Sequence, residues 1–243
     1  MTAREPVSTG PDAAEFDEYA DSYEEALQRG VGLSGEDSSY FAVERVAWVG
    51  RQLERMGLRA PSVLDFGCGT GSTTQHLLKL PGTESVLGTD VSSRLIETAR
   101  REYGSERVAF ATPAETPPGF ADLAYCNGVF HHIPLAERDG AVASVRDALR
   151  PGGLFAFWEN NPWNPGTRLV MRRIPFDRDA ITLSAIEARR LLKAGGFEIV
   201  RTDFRFVFPK VLAPLRGLEP ALAKAPAGAQ YMVLARNPTG EGS

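Results

Sequence analysis

Three carboxylates, three glycines and a pair of histidines are the residues of this 243-residue chain whose types and spacing could serve chemistry. Asp65 is followed at every second position by Gly67, Gly69 and Gly71, directly after the apolar pair Val63-Leu64. Glycines at alternate positions remove Cβ atoms, so the backbone can bend sharply and approach a ligand closely. Such a turn between a strand and a helix is where an open α/β sheet receives a nucleotide-like ligand. The dinucleotide fingerprint G-x-G-x-x-G would need glycine at position 72, where this chain has Ser72. Asp90 ends a second apolar run 19 residues after Gly71, and a carboxylate at that tip can accept both hydroxyls of a ribose. Farther on, His131 and His132 follow a fourth such run and Glu159 closes a fifth. A neutral imidazole can accept a proton near pH 7, and Glu159 falls at a strand's carboxyl edge, where a substrate would lie.

These residues must be held by elements the sequence also spells out. Buried-strand patterns begin at Pro61 and cover 85–90, 107–111, 121–127, the stretch after Pro151-Gly152-Gly153 up to Asn161, 197–206 and 230–236. Helical periods fill the gaps: from Ser72, from Arg94 to Arg101, from Leu135 to Arg150, and after the capping box Ser184-Ala185-Ile186-Glu187. Strands alternating with helices predict a doubly wound sheet. Residues 1–12 read as disordered. Residues 13–60 read as a helical cover, with Phe16, Tyr19, Tyr23 and Leu27 on one face of a first helix and Phe41, Val46 and Leu53 on a second. The core then spans 61–243, with cap insertions at about 160–183 and 208–228.

Bulk properties exclude several classes. A pI near 5.5 argues against a general nucleic-acid binder. No apolar run reaches bilayer length, and residues 1–6 lack the apolar core of a signal peptide, so a cytoplasmic location is expected. Cys68 and Cys126 show no disulfide pattern, and no metal-ligand spacing is present. Charge is uneven: residues 1–60 are net acidic, whereas 168–216 are net basic and rich in arginine.

The pattern Asp65-x-Gly67-x-Gly69-x-Gly71 resembles motif I of the class I S-adenosylmethionine-dependent methyltransferases. Leu149-Arg150-Pro151-Gly152-Gly153 resembles that family's turn into its fifth strand. The resemblance implies a Rossmann-like seven-stranded sheet, mostly parallel with the last strand antiparallel, helices on both faces, and S-adenosylmethionine as cofactor with S-adenosylhomocysteine as product. It places Tyr19, Asp65, Gly67, Gly69, Gly71, Asp90, Val91, Ala114, Glu115 and Asn127 around that cofactor. Pro113 stands where the family usually has an adenine-contacting aspartate. The family often has a similar His-His pair past its fourth strand. Adjacent histidines on opposite sides of a turn should not both face one substrate, so His131, with Glu159, is the expected catalytic group and the other histidine is expected to be structural.

The acceptor is expected to be a small molecule. Tyr23, Tyr40, Phe41, Phe130 and Trp163 would supply an apolar aromatic lining, and Arg168, Arg172 and Arg173 would grip an anionic head. C-methylation of an isoprenyl diphosphate is one case, with aromatic faces steadying a cation. O- or N-methylation of a neutral metabolite, or a non-catalytic cofactor-binding partner subunit, fits the same motifs.

Overall fold

The computed structural model describes residues 28–30, 32–174, 177 and 180–240. The expected disorder of residues 1–12 and the stripe at 16–27 with Tyr19 and Tyr23 lie outside them.

Seven strands form one sheet: β1 (Ser62–Phe66), β2 (Ser85–Thr89), β3 (Val108–Ala111), β4 (Ala121–Asn127), β5 (Leu149–Asn160), β6 (Glu198–Arg205) and β7 (Gln230–Arg236). Their order is β3-β2-β1-β4-β5-β7-β6. β1 pairs in parallel with β2 and β4, and β4 with β5, while β7 runs antiparallel to both β5 and β6. The strand order reverses between β1 and β4. The loops after these two strands therefore diverge and leave a crevice at their carboxyl ends, the ligand position in open sheets of this kind.

The helices are α1 (Ser38–Arg55), α2 (Thr74–Leu77), α3 (Ser93–Tyr103), α4 (Arg138–Ala148), α5 (Pro165–Met171), α6 (Ala185–Ala194) and α7 (Glu219–Leu222). Side chains alternate across β5, so its two faces join different cores. Leu154, Ala156 and Trp158 pack with Val46, Val49 and Leu53 of α1, and Phe155 and Phe157 pack with Val142, Val145 and Leu192 of α4 and α6. Among the described residues no helix is long and apolar enough to cross a membrane.

Two boundaries differ from the sequence expectation. The helix opening near Ser72 lasts a single turn, and tighter turns, Lys79 N–H to the His76 carbonyl and Leu80 N–H to the Leu77 carbonyl, lead from it to Pro81. α4 stops at Ala148 rather than Arg150, since Leu149 already pairs with Ala121 of β4. Pro151-Gly152-Gly153 thus lies inside β5, with Gly152 at φ +83°.

One buried acid fixes the chain where it leaves β6. Phe206 adopts φ +62°, rare for a residue with a side chain. The Glu219 carboxylate accepts the N–H groups of Phe206, Val207 and Phe208 at 3.3, 3.0 and 3.1 Å and pairs with Arg205 at 3.5 Å. Replacing it strands both a buried cation and three amides. Glu219→Ala should lower unfolding free energy by about 3–5 kcal/mol, read as a lower urea midpoint.

Candidate active site

The turn after β1 holds the first half of the site. Gly67 sits at φ +71°, and a Cβ there would overlap Val129. Gly71 sits at φ +80°, and a Cβ there would come 2.8 Å from Phe110 Cζ. Conformation and space both demand glycine. Asp90, just past β2, accepts the Gly69 N–H at 2.9 Å and the Ser92 N–H at 3.0 Å, so it braces the turn, and it is in the lining of neither cavity described below. Val91 beside it is exposed. Asp65 is buried and accepts the Thr74 hydroxyl at 2.6 Å. Burial, with the nearby Asp90 charge, raises its pKa to about 7, although Thr74 and Arg45 pull the other way.

Two cavities open at this edge of the sheet. The first, about 310 Å³, is lined by Asp65, Gly67, Thr70, Tyr125 and others around the motif turn. The second, about 440 Å³, lies under the two insertions and is lined by Tyr40, Phe41, Val170, Met171, Ile174 and Phe206, among others. Ser38, Arg45 and Asn127 border both. Arg45 is almost fully buried, yet its bonded partners are neutral: Tyr125 Oη at 3.0 Å and Gln230 Oε1 at 3.0 Å. Asn127 Oδ1 is buried without a hydrogen-bond partner at this junction. A buried acceptor left unmade is costly, which marks a place where a ligand donor fits.

The floor of the larger cavity is a network of charge. His131 Nδ1 bonds Glu159 Oε2 at 2.6 Å, and its Nε2 lies 3.4 Å from Asp177 Oδ1. His132 Nε2 reaches the same Asp177 oxygen at 3.2 Å. Burial works against the His131 charge, but Glu159 and Asp177 outweigh it and hold its pKa up to about 10. Burial likewise raises Asp177, and its bonds to the two histidines outweigh that and hold it down to about 2.

Several expectations need correction. His131 has no ring nitrogen free of a carboxylate partner, since Nδ1 faces Glu159 and Nε2 faces Asp177. The two histidines do not diverge; both line the cavity, their rings 4.1 Å apart, drawn together by Asp177. Glu159 is 1% exposed and spends its oxygens on His131 and on the N–H groups of Phe130, His131 and Asn160. It lines neither cavity. Phe130 is not in the lining but in the core, between the rings of Phe66 and Phe157. Trp163, Arg168, Arg172 and Arg173 are exposed and outside the cavity lining. Glu115 is committed to a cap, accepting Thr112 N–H and hydroxyl at 2.8 Å each, and Ala114 next to it is exposed.

Tyr40 and Phe41 do line the larger cavity, and Asp65, Gly67 and Asn127 the smaller. Arg45, Asp177, Arg216 and Gln230 were missed by sequence reasoning, and His132 was set aside as structural. Arg45 carried a signal, a charged residue inside the apolar stripe Ala42, Val46 and Val49 of α1. Asp177 carried none.

The comparisons bear on the class and the fold. A family model described as a methyltransferase domain matches residues 64–155. O-methyltransferase cnsE of Penicillium expansum is 28% identical over 205 residues, covering 78% of this chain and 73% of that protein. A trans-aconitate 2-methyltransferase of Methylobacterium nodulans is 34% identical over 161 residues, covering 62% of this chain and 58% of its own length. A solved S-adenosylmethionine-dependent methyltransferase of Thermotoga maritima, described as a possible histamine N-methyltransferase, matches with TM-score 0.61 at 18% identity. That match covers 93% of this chain and 99% of the other, a likeness of fold. The sheet, the glycine turn and the family model over residues 64–155 together support membership of the class I S-adenosylmethionine-dependent methyltransferases.

If Glu159 positions rather than reacts, its loss should show first in stability. Glu159→Gln should cost about 2–3 kcal/mol, the size of a buried charge-assisted hydrogen bond, in urea unfolding. Calorimetric affinity for S-adenosylhomocysteine should stay within about twofold, because Glu159 does not line the smaller cavity.

Proposed function

We propose that this enzyme methylates an oxygen or nitrogen of a small, largely apolar molecule seated in the 440 Å³ cavity. The observation that carries this reading is the junction at Ser38, Arg45 and Asn127, which joins a motif-I cavity to an apolar one. The residues present fit S-adenosylmethionine: the glycine turn allows close approach, Asp90 would hold ribose hydroxyls, and Asp65 and Arg45 would hold an ammonium and a carboxylate. When bound, that cofactor supplies a methyl group on a sulfonium. The chain's own part is to orient the acceptor at the junction and keep water away from it. Tyr40, Phe41, Met171, Ile174 and Phe206 do this on the acceptor side.

A second reading, an acceptor with an anionic head such as an isoprenyl diphosphate, would rest on Arg45 and Arg216. Arg216 is already engaged, paired with Glu36 at 2.9 Å and stacked 4.7 Å from the Tyr40 ring. That engagement favours the neutral acceptor. Transfer of deuterated methyl from S-adenosylmethionine to paired phosphorylated and dephosphorylated compounds, read by mass spectrometry, tests the choice. Label on the neutral members is the expected outcome; label confined to the phosphorylated members would reverse it.

The raised pKa of Asp65 gives a second test. An ammonium favours the ionised carboxyl, so below about pH 7 binding must first release a proton. Calorimetric affinity for S-adenosylhomocysteine should fall by up to about tenfold per pH unit below that value, and Asp65→Asn should flatten the dependence. For folding of the free enzyme the sign is opposite. The Asp65 contribution is fully present below its ordinary value of 3.8 and is lost as the pH rises through about 7.

A further inference from the structure

Three metal-ligating side chains meet on the floor of the acceptor cavity, and methyl transfer as described above uses none of them as ligands. Asp177 Oδ1 lies 3.4 Å from His131 Nε2 and 3.2 Å from His132 Nε2, and the three donors fall within 4.8 Å of one another. A tetrahedral ion with bonds of about 2.0–2.2 Å spaces its ligand atoms roughly 3.4 Å apart. His131 Nδ1 is held by Glu159 at 2.6 Å, the outer-shell carboxylate that fixes a ligating imidazole with Nε2 forward. The sequence hides this cluster, because two donors are adjacent and the third arrives from an insertion 45 residues later.

We infer that His131, His132 and Asp177 bind one divalent transition-metal ion, of the zinc or cobalt kind, with an open coordination position facing the acceptor. This rests on the reading of the larger cavity as the acceptor site. The ion would occupy the space between His131 Nε2, His132 Nε2 and Asp177 Oδ1. Three protein ligands leave a four-coordinate ion one further position, the arrangement of catalytic rather than structural sites. All three ligand residues line the cavity, so that position opens into it. An acceptor hydroxyl placed there ionises more readily, its proton passing to water.

The test uses the untagged full chain, stripped with EDTA and dialysed. Cobalt(II) is titrated with visible absorption as the readout and zinc(II) by calorimetry. One equivalent should bind with micromolar or tighter affinity and produce a ligand-field band that azide shifts. His132→Ala or Asp177→Asn should weaken binding at least about a hundredfold, and Glu159→Gln by about 10–100-fold. His76→Ala should leave metal affinity unchanged. Absence of saturable uptake by the unsubstituted chain, equal uptake by both ligand variants, or loss in His76→Ala would overturn the site. A band insensitive to azide would overturn the open position. Circular dichroism checks folding of each variant, and the unsubstituted titration decides even where a variant unfolds. Metal uptake is read independently of methyl transfer: metal binding without transferase activity in the deuterated-methyl assay would sink the cavity reading, and transferase activity without metal binding would sink the ion.

Discussion

The Glu159 carboxylate ties the catalytic edge of the sheet together. It sits at the end of β5, fully buried, and reaches the Phe130 N–H at 2.8 Å and the His131 ring at 2.6 Å in the loop after β4. A buried carboxylate is tolerated only when its oxygens are satisfied, so β5 and the β4 loop cannot move apart without exposing the charge to an apolar core. That constraint propagates. His131 so fixed turns its second nitrogen to Asp177, and its carbonyl accepts the Ile181 N–H at 2.9 Å, docking the insertion after α5 onto the sheet. The roof of the larger cavity is therefore anchored through charges laid on its floor.

On the cofactor side the balance is different. Asp65 is as buried as Glu159, but its direct partner is one threonine hydroxyl, with Arg45 acting at longer range and Asp90 opposing. Its carboxyl is consequently undersatisfied and titrates near neutrality, whereas the acid facing the histidines stays ionised. One cavity is poised to receive a cation and the other has its charges already paired. The contrast sorts the two ligands chemically before either is bound.

Most of the sheet was legible because parallel strands buried on both faces read as continuous apolar runs, and Val63-Leu64, Leu123-Ala124 and Phe155-Ala156-Phe157 do so. Motif I was legible because only glycine satisfies its positive φ values and the approach of Val129 and Phe110. The capping box at Ser184 was local and therefore readable; Glu187 Oε2 accepts the Ser184 N–H at 2.7 Å. The acceptor side was not. Arg168, Arg172 and Arg173 belong to the right segment but point to solvent, a choice of helix face that net charge cannot reveal. Phe130 precedes the histidines yet faces the other way, into the core. The partner of both histidines, Asp177, sits where only tertiary folding brings it.

The division between legible and illegible residues follows the division of labour in the fold. The cofactor half is built by one strand–turn–helix unit, so its requirements are local and are written in consecutive residues. The acceptor half is assembled from α1, the β4 loop, the insertion after β5 and the segment leaving β6. Glu219 holds Phe206 to Phe208 in place, and Glu159, through His131, holds the insertion. Neither acid touches the cavity interior. Changes in the insertions can therefore reshape the acceptor cavity while these buried carboxylates keep the walls attached, and the motif turn need not change at all. The cavity at the motif turn can stay fixed while the larger one varies, because among the described residues their linings share only Ser38, Arg45 and Asn127.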